Sequence, residues 1–279
     1  MPSANTLSPT AELKSLTRDL RVDIIRMIEA AGSGHPGGSL SVIDLLAALY
    51  TRSLKHRPKE PGWPDRDRLI LSKGHGCPAL YAVMAHEGYF PKSELMSLRK
   101  LGSPLQGHPD RMRLPGIEAS TGSLGQGLSI ALGIALAAKL DKKDYRTWCI
   151  MGDGEMQEGQ VWEAAMAAPK FKLGNLTAIV DLNNGQIDGH VKEIMDLDPI
   201  EDKFKSFRWR TRVIDGHDFD QILPALEEAK KPSDVPLAIL ARTVKGKGVS
   251  FMENVIDWHG KAPTKEEADR AVAEIQKNG

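Results

Sequence analysis

The chain has 279 residues, 41% of them hydrophobic, which is enough to bury one large α/β core. Its 37 basic and 37 acidic residues balance, so no field draws in nucleic acid or an anionic membrane; the polar first 16 residues lack a signal-peptide core. Only Cys77 and Cys149 occur, in unlike contexts, so neither a disulfide framework nor a zinc site is indicated and a reducing cytoplasm is the expected setting.

Residues 1–9 are polar, carry two prolines and read as a flexible tail. From Thr10 onward, Leu13, Leu16, Leu20, Ile24, Ile25 and Ile28 recur at helical spacing, and Gly32 stops the helix. The loop that follows holds His35 before a proline and between glycines, and a second helix is expected from near Ser39. Residues 52–68 are charged and proline-rich, a surface loop. Residues 68–72 form a strand that empties into Lys73-Gly74-His75-Gly76 ahead of a helix over 78–87, an arrangement suited to cradling an anion. Lys73 could add charge to that cradle, but a lysine in such a turn reads by default as solvated. A short helix over 92–101 leads to Gln106-Gly107-His108-Pro109, and then to Thr121-Gly122-Ser123-Leu124-Gly125-Gln126-Gly127. The helix expected over 128–140 has alanine and glycine on nearly every side and is expected to be buried all round. It is too short to cross a bilayer.

The centre of the chain carries the strongest chemistry. Residues 147–151 are an apolar strand that stops at Gly152-Asp153-Gly154, and residues 176–180 are another that stops at Asp181-Leu182-Asn183-Asn184-Gly185. Adjacent parallel strands would bring Asp153 and Asn183 to the same carboxyl edge, where open α/β sheets bind ligands. One carboxylate, one amide oxygen and a backbone carbonyl suit a hard divalent cation whose remaining places go to phosphate oxygens and water. The flanking glycines permit close backbone approach, so the Gly154 amide is expected to face the anion. Either turn alone is an ordinary turn signal; the pair, each at a strand end and separated by one helix, reads as a metal-diphosphate site.

Between them, residues 158–171 form a helix expected to turn Trp162, Ala165 and Met166 toward the sheet. Residues 203–209 are a short basic aromatic cluster read as packing. A strand over 211–215, a helix over 219–230 and a strand over 237–241 complete the sheet and empty into Arg242-Thr243-Val244-Lys245-Gly246-Lys247-Gly248. The last helix, from Thr264, opens with a capping box, Thr264 with Glu267.

Gly152-Asp153-Gly154 with Asn183-Asn184, Asn183 standing thirty residues beyond Asp153, resembles the thiamine-diphosphate motif. Ser33-Gly34-His35-Pro36-Gly37, Leu71-Ser72-Lys73-Gly74-His75-Gly76, Gly107-His108-Pro109, Thr121 to Gly127 and Trp258-His259-Gly260-Lys261 narrow the likeness to transketolases, over about residues 10 to 262. The resemblance implies a single α/β domain over 1–279, a parallel sheet flanked by helices with the thiamine-diphosphate-binding fold. It implies thiamine diphosphate with Mg²⁺, or another divalent cation such as Ca²⁺ or Mn²⁺, the metal held by Asp153, Asn183 and the Gly185 carbonyl. His75, Gly154, Asn183, Lys245 and His259 would face the diphosphate, Gly122, Ser123 and Leu124 the aminopyrimidine, and Ile187 the thiazolium. His35, His108 and His259 would meet the sugar and share its proton transfers, while Glu158 and Glu163 would lie at a subunit junction.

The family's glutamate for activating the aminopyrimidine lies on a separate pyrimidine-binding domain, for which this sequence supplies no counterpart. The resemblance therefore implies the amino-terminal subunit of a split transketolase. It would transfer two-carbon ketol units between sugar phosphates together with a carboxy-terminal subunit, in a heterotetramer with two copies of each. The alternatives are a subunit of a deoxyxylulose-phosphate synthase or of a 2-oxo-acid dehydrogenase, or a non-catalytic regulatory paralogue.

Overall fold

The computed structural model describes residues 8–277. Of the expected tail, residues 1–7 lie outside that range, and Ser8 and Pro9 belong to the first helix instead. Ser8 is the N-cap, its hydroxyl accepting the Ala11 N–H at 3.2 Å, and α1 runs Pro9–Ala31 to a left-handed Gly32 at φ 65°. Helix α2 (Pro36–Ala48) starts earlier than expected, because Pro36 at its first turn needs no donor. Gly37 and Gly38 sit inside that first turn, where an added Cβ would lie 2.9 Å from the Trp258 carbonyl and 3.3 Å from His75 Nε2.

Five parallel strands, β1 (Arg68–Leu71), β2 (Thr147–Gly152), β3 (Leu176–Leu182), β4 (Arg210–Asp215) and β5 (Leu237–Arg242), lie in the order β1-β2-β3-β5-β4. The helices are α3 (Cys77–Glu87), α4 (Gln126–Leu140), α5 (Gly159–Lys170), a single turn α6 (Val191–Ile194), α7 (Ile200–Ser206), α8 (Phe219–Lys230) and α9 (Lys265–Lys277). The helix expected over 92–101 is only a 3₁₀ turn over Lys92–Ser97, since Leu98 is not helical and Arg99 turns left-handed at φ 60°. The capping box at the start of α9 is present in both directions, at 2.8 and 3.2 Å.

Side-chain alternation along the strands divides the apolar core in two. Leu69, Leu71, Trp148, Ile150, Ile179, Ile239 and Ile214 pack with α1, α2, α3, α8 and α9. Ile70, Cys149, Met151, Ala178, Val180 and Leu240 pack with α4, α5 and α7 on the opposite face. The aromatic cluster near α7 is packing, as expected: Phe204 is buried and Trp209 donates to the Ala165 carbonyl at 2.7 Å.

Two burial expectations fail on this second face. Helix α4 is covered only along Gly127, Leu128, Ala131, Ala135 and Ala138, while Gly133 and Ala137 are exposed and Leu140 is 72% exposed. Met166 is 61% exposed, because α5 turns Val161, Ala164, Ala165 and Ala168 inward and one further residue rotates about 100° off that stripe. The glycines of α4 test this packing. A Cβ at Gly127 would lie 2.2 Å from Ser72 Oγ and 2.8 Å from Ser72 Cα, whereas one at Gly133 meets nothing within 4 Å. Gly127→Ala is expected to lower unfolding stability by about 1–3 kcal/mol. Gly133→Ala is expected to raise it by about 0.5–1 kcal/mol. Urea midpoints that move the same way in both variants would contradict the packing.

Among the described residues, no helix is long and apolar enough to cross a membrane.

Candidate functional site

The parallel sheet sends every strand's outgoing loop to one edge. There β1 empties into Lys73 and His75, β2 into Asp153, β3 into Asn183 and Gly185, and β5 into Lys245. A cavity of about 260 Å³ at this edge is lined by His75, Leu124, Asp153, Gly154, Asn183, Gly185, Ile187, Lys245 and His259, with Lys73 and Glu158. A neighbouring cavity of about 500 Å³ extends past Asp153 beneath residues 184–202 and carries none of the histidines.

Asp153 and Asn183 are both buried, each one residue past the end of neighbouring strands paired Gly152 to Asp181. Asp153 Oδ2 accepts the Asn184 N–H at 2.5 Å, and Oδ1 accepts the Gly154 N–H at 2.8 Å. The Gly154 amide thus engages its neighbour's carboxylate rather than facing outward, because Asp153 adopts a helical conformation that folds its side chain back over the next turn. Asn183 Oδ1 accepts from the Gly185 N–H at 3.0 Å, and the Gly185 carbonyl accepts from Lys245 Nζ at 3.3 Å. Burial and then the nearby Asp181 push the Asp153 carboxyl up to about 6, a carboxylate under-supplied with positive charge.

This donor set fits a hard divalent cation: a carboxylate, an amide oxygen and a carbonyl, all oxygens, with the carboxylate short of compensation. The backbone is bare where it must be. A Cβ at Gly185 would strike Lys245 Cδ at 2.6 Å, and one at Gly154 would lie 2.7 Å from Gln186 Cβ.

Beside these oxygens the four expected imidazoles gather. Ring centroids lie 5.4 Å apart for His35 and His75, 5.6 Å for His35 and His259, 5.1 Å for His75 and His259, and 6.2 Å for His35 and His108. Burial, then the charges of neighbouring cations, lower His35 to about 4, His259 to about 3, and His75 well below its ordinary value. His108 is lowered too, by burial and then Arg99. The imidazoles are therefore neutral at pH 7, each able to donate one N–H and accept one bond. Burial and then Lys73 lower Lys245 to about 8; its Nζ also lies 3.0 Å from His259 Nδ1. Lys245 is buried, whereas Lys247 is half-exposed.

The remaining expected residues lie further out. Gly122 abuts His108, where a Cβ would come 2.9 Å from His108 Cδ2; Ser123 is exposed, and Ile187 is 71% exposed at the cavity rim. Glu158 lines the cavity, while Glu163 stands exposed on α5 away from it.

Three participants escaped the sequence reading. Lys73 is not solvated: it is 1% exposed and paired with the fully buried Asp181, while also donating to the Gly38 carbonyl at 3.0 Å. Glu155 is buried and accepts from Ser72, from Gly125 N–H at 2.9 Å and from Gly152 N–H at 3.1 Å, tying the Gly152-Asp153-Gly154 turn to the loop before α4. Arg99 donates toward His35 Nδ1 at 3.3 Å. For Glu155 the available signal was an acid inside an otherwise buried run; for Lys73 and Arg99 there was none.

The family model for the transketolase thiamine diphosphate-binding domain matches residues 12–277. The chain belongs to the transketolase family. A Clostridium sp. (strain MSTE9) protein named 6-deoxy-6-sulfo-D-fructose transketolase subunit SqwG is 48% identical, over 96% of this chain and 98% of its own length. A Phocaeicola vulgatus protein, named as one subunit of an apulose-4-phosphate transketolase, is 40% identical, over 95% of this chain and 94% of its own length. Against single-chain transketolases the match is partial: the Pongo abelii protein is 41% identical over 94% of this chain but only 42% of its own length. The crystal structure of the Campylobacter jejuni transketolase superposes with a TM-score of 0.88 at 36% identity, over 95% of this chain and 42% of that one. That of Leishmania mexicana gives 0.89 at 30% identity, over 95% of this chain and 41% of that one. The sheet and its helices are the thiamine-diphosphate-binding fold of these transketolases.

Proposed function

We propose that the chain is the diphosphate-binding, amino-terminal subunit of a two-subunit transketolase that moves a two-carbon ketol unit between sugar phosphates in the cytoplasm. The observation that carries this reading is the meeting of Asp153, Asn183 and the Gly185 carbonyl beside Lys245 and neutral His75 at one sheet edge. Asp153, Asn183 and Gly185 hold Mg²⁺ or a similar divalent ion, and His75, Asn183, Lys245 and His259 face the diphosphate, while the Gly154 amide holds the Asp153 carboxylate in place. Gly122, Ser123 and Leu124 face its aminopyrimidine, and Ile187 packs on the thiazolium. When bound, thiamine diphosphate supplies the thiazolium carbon that adds to a ketose carbonyl and carries the transferred unit.

His35, His108 and His259 face the sugar. As neutral imidazoles they orient its hydroxyls and exchange protons with its oxygens; His35 and His259, whose Nδ1 atoms accept from Arg99 and Lys245, each present an Nε2–H. The Lys73, Lys245 and Arg99 cations make the cleft receptive to anions, and an anion there would raise the histidines back toward their ordinary range.

The partner is a carboxy-terminal subunit with the pyrimidine-binding domain, assembled as two copies of each. The coverage of relatives named as subunits supports a partner, as do the exposed Gly133, Ala137 and Leu140 on α4 and the exposed Met166 on α5. Two buried cysteines without a disulfide accord with a reducing compartment.

The test is a ketol-transfer assay with xylulose 5-phosphate and ribose 5-phosphate, using the chain with and without a second subunit that carries a pyrimidine-binding domain. The donor panel should include 6-deoxy-6-sulfofructose and apulose 4-phosphate, the sugars named for its relatives. Transfer is expected only with the partner. Transfer by the chain alone would overturn the two-subunit reading, and none with any donor would overturn the activity.

A further inference from the structure

Lys245 stands on a loop that is fastened from behind by groups outside the cleft. Asp44, on α2, is buried and gripped by Arg21 of α1, Nη1 to Oδ1 at 3.0 Å and Nη2 to Oδ2 at 2.6 Å. Asp44 Oδ2 also lies 2.7 Å from His217 Nδ1, and His217 Nε2 lies 2.9 Å from the Val244 backbone nitrogen. A backbone amide can only donate, so Nε2 must be the acceptor and the ring's proton must sit on Nδ1, directed to Asp44. The same guanidinium reaches past Asp44 to the Lys247 carbonyl at 3.2 Å. Residues 244 and 247 are thereby pinned on one side, while Lys245 between them projects to the opposite side, toward the Gly185 carbonyl and His259.

We propose that Asp44 and His217 are positioning residues which, through the Val244 amide, fix the backbone from which Lys245 reaches into the cleft. Neither touches the cavity itself. What Lys245 is held for rests on the diphosphate reading above; the fastening does not. The carboxylate fixes the imidazole tautomer, the tautomer presents a bare Nε2, and Nε2 satisfies an amide that would otherwise be left unpaired at a strand end. Gly246, at φ 79°, lets the chain turn back immediately after Lys245, and its amide bonds the Gly37 carbonyl at 3.0 Å.

The test uses two substitutions in the full-length chain. In His217→Asn the carboxamide nitrogen replaces Nδ1 and still donates to Asp44, but no acceptor reaches Val244. In His217→Gln the carboxamide oxygen stands where Nε2 was and accepts the Val244 N–H. Amide exchange over residues 243–248 is expected to quicken about tenfold in His217→Asn and to return toward wild type in His217→Gln. The ratio of Lys245 to Lys247 acylation by an amine-reactive reagent should follow the same order, with melting temperatures little changed. Unaltered exchange and labelling in His217→Asn, or equal changes in both variants that track lost stability, would overturn the proposal. Should His217→Asn not fold, the imidazole ¹⁵N shifts of the wild-type chain decide: a proton on Nε2 of His217 overturns it. All readouts are taken without cofactor, so failure here leaves the diphosphate reading standing, and failure of that reading leaves these results unchanged.

Discussion

Asp153→Ala is expected to abolish Mg²⁺-dependent binding of thiamine diphosphate by the assembled enzyme, with affinity in calorimetry falling about a hundredfold or more. The carboxylate is the one charged member of the proposed oxygen set, and without it the metal and the diphosphate lose their anchor at the end of β2. Unchanged affinity would refute the assignment. In the ligand-free chain the same carboxylate acts in the opposite sense. Its folded pKa, pushed up to about 6, stands above an unfolded value near 4, so the folded state takes up its proton first as pH falls. Its contribution is therefore complete below about pH 4 and is lost as pH rises through about 6, a difference on the order of 3 kcal/mol. Because the buried histidines, lowered in the fold, cost stability as pH falls, the Asp153 effect is read as a difference: urea midpoints should fall less between pH 7 and 4 in the wild type than in Asp153→Ala. Identical pH profiles would mean that Asp153 is not the strained group.

The second large effect concerns Lys73. Asp181 is fully buried; burial alone would raise its pKa, but the Lys73 ammonium, with hydroxyls of Ser41 and Thr243, holds it below the ordinary carboxylate range. Lys73→Ala leaves that charge without its cation and is expected to cost about 3–5 kcal/mol in chemical denaturation. Combining Lys73→Met with Asp181→Asn removes both charges, leaves an amide oxygen to accept from one of the Ser41 and Thr243 hydroxyls and an N–H to donate to the other, and should recover at least half of the loss. A single-variant cost below about 1 kcal/mol, the range of exposed ion pairs, would show that the pair is not sealed from water.

The contrast between these two residues explains what could be read from the chain alone. Asp153 and Asn183 were legible because each ends an apolar run beside glycine, and a parallel sheet brings such ends together. Lys73 also ends a strand, but its partner is 108 residues away, and nothing local distinguishes a lysine bound for a buried carboxylate from one bound for water. The four histidines were legible as loop residues in stiff glycine and proline settings; their low basicity was not, since it comes from burial and from Lys73, Lys245 and Arg99 arriving from separate loops. The start of α2 at Pro36 follows from the proline at the first turn; Gly37 and Gly38, poor helix formers kept bare by the Trp258 carbonyl and His75, masked it. The outward turn of Met166 and the bare side of α4 reflect a helix layer resting on the sheet from one side only, whereas composition reports how greasy a helix is and not how many neighbours it has.

That bare side has a consequence for how the protein must be made. Leu140 and Met166 lie on solvent-facing surface of two helices that pack together. Surface of this kind, left uncovered, favours indiscriminate sticking as concentration rises. Yield of well-behaved material should therefore rise when the proposed partner subunit is synthesised in step with this chain.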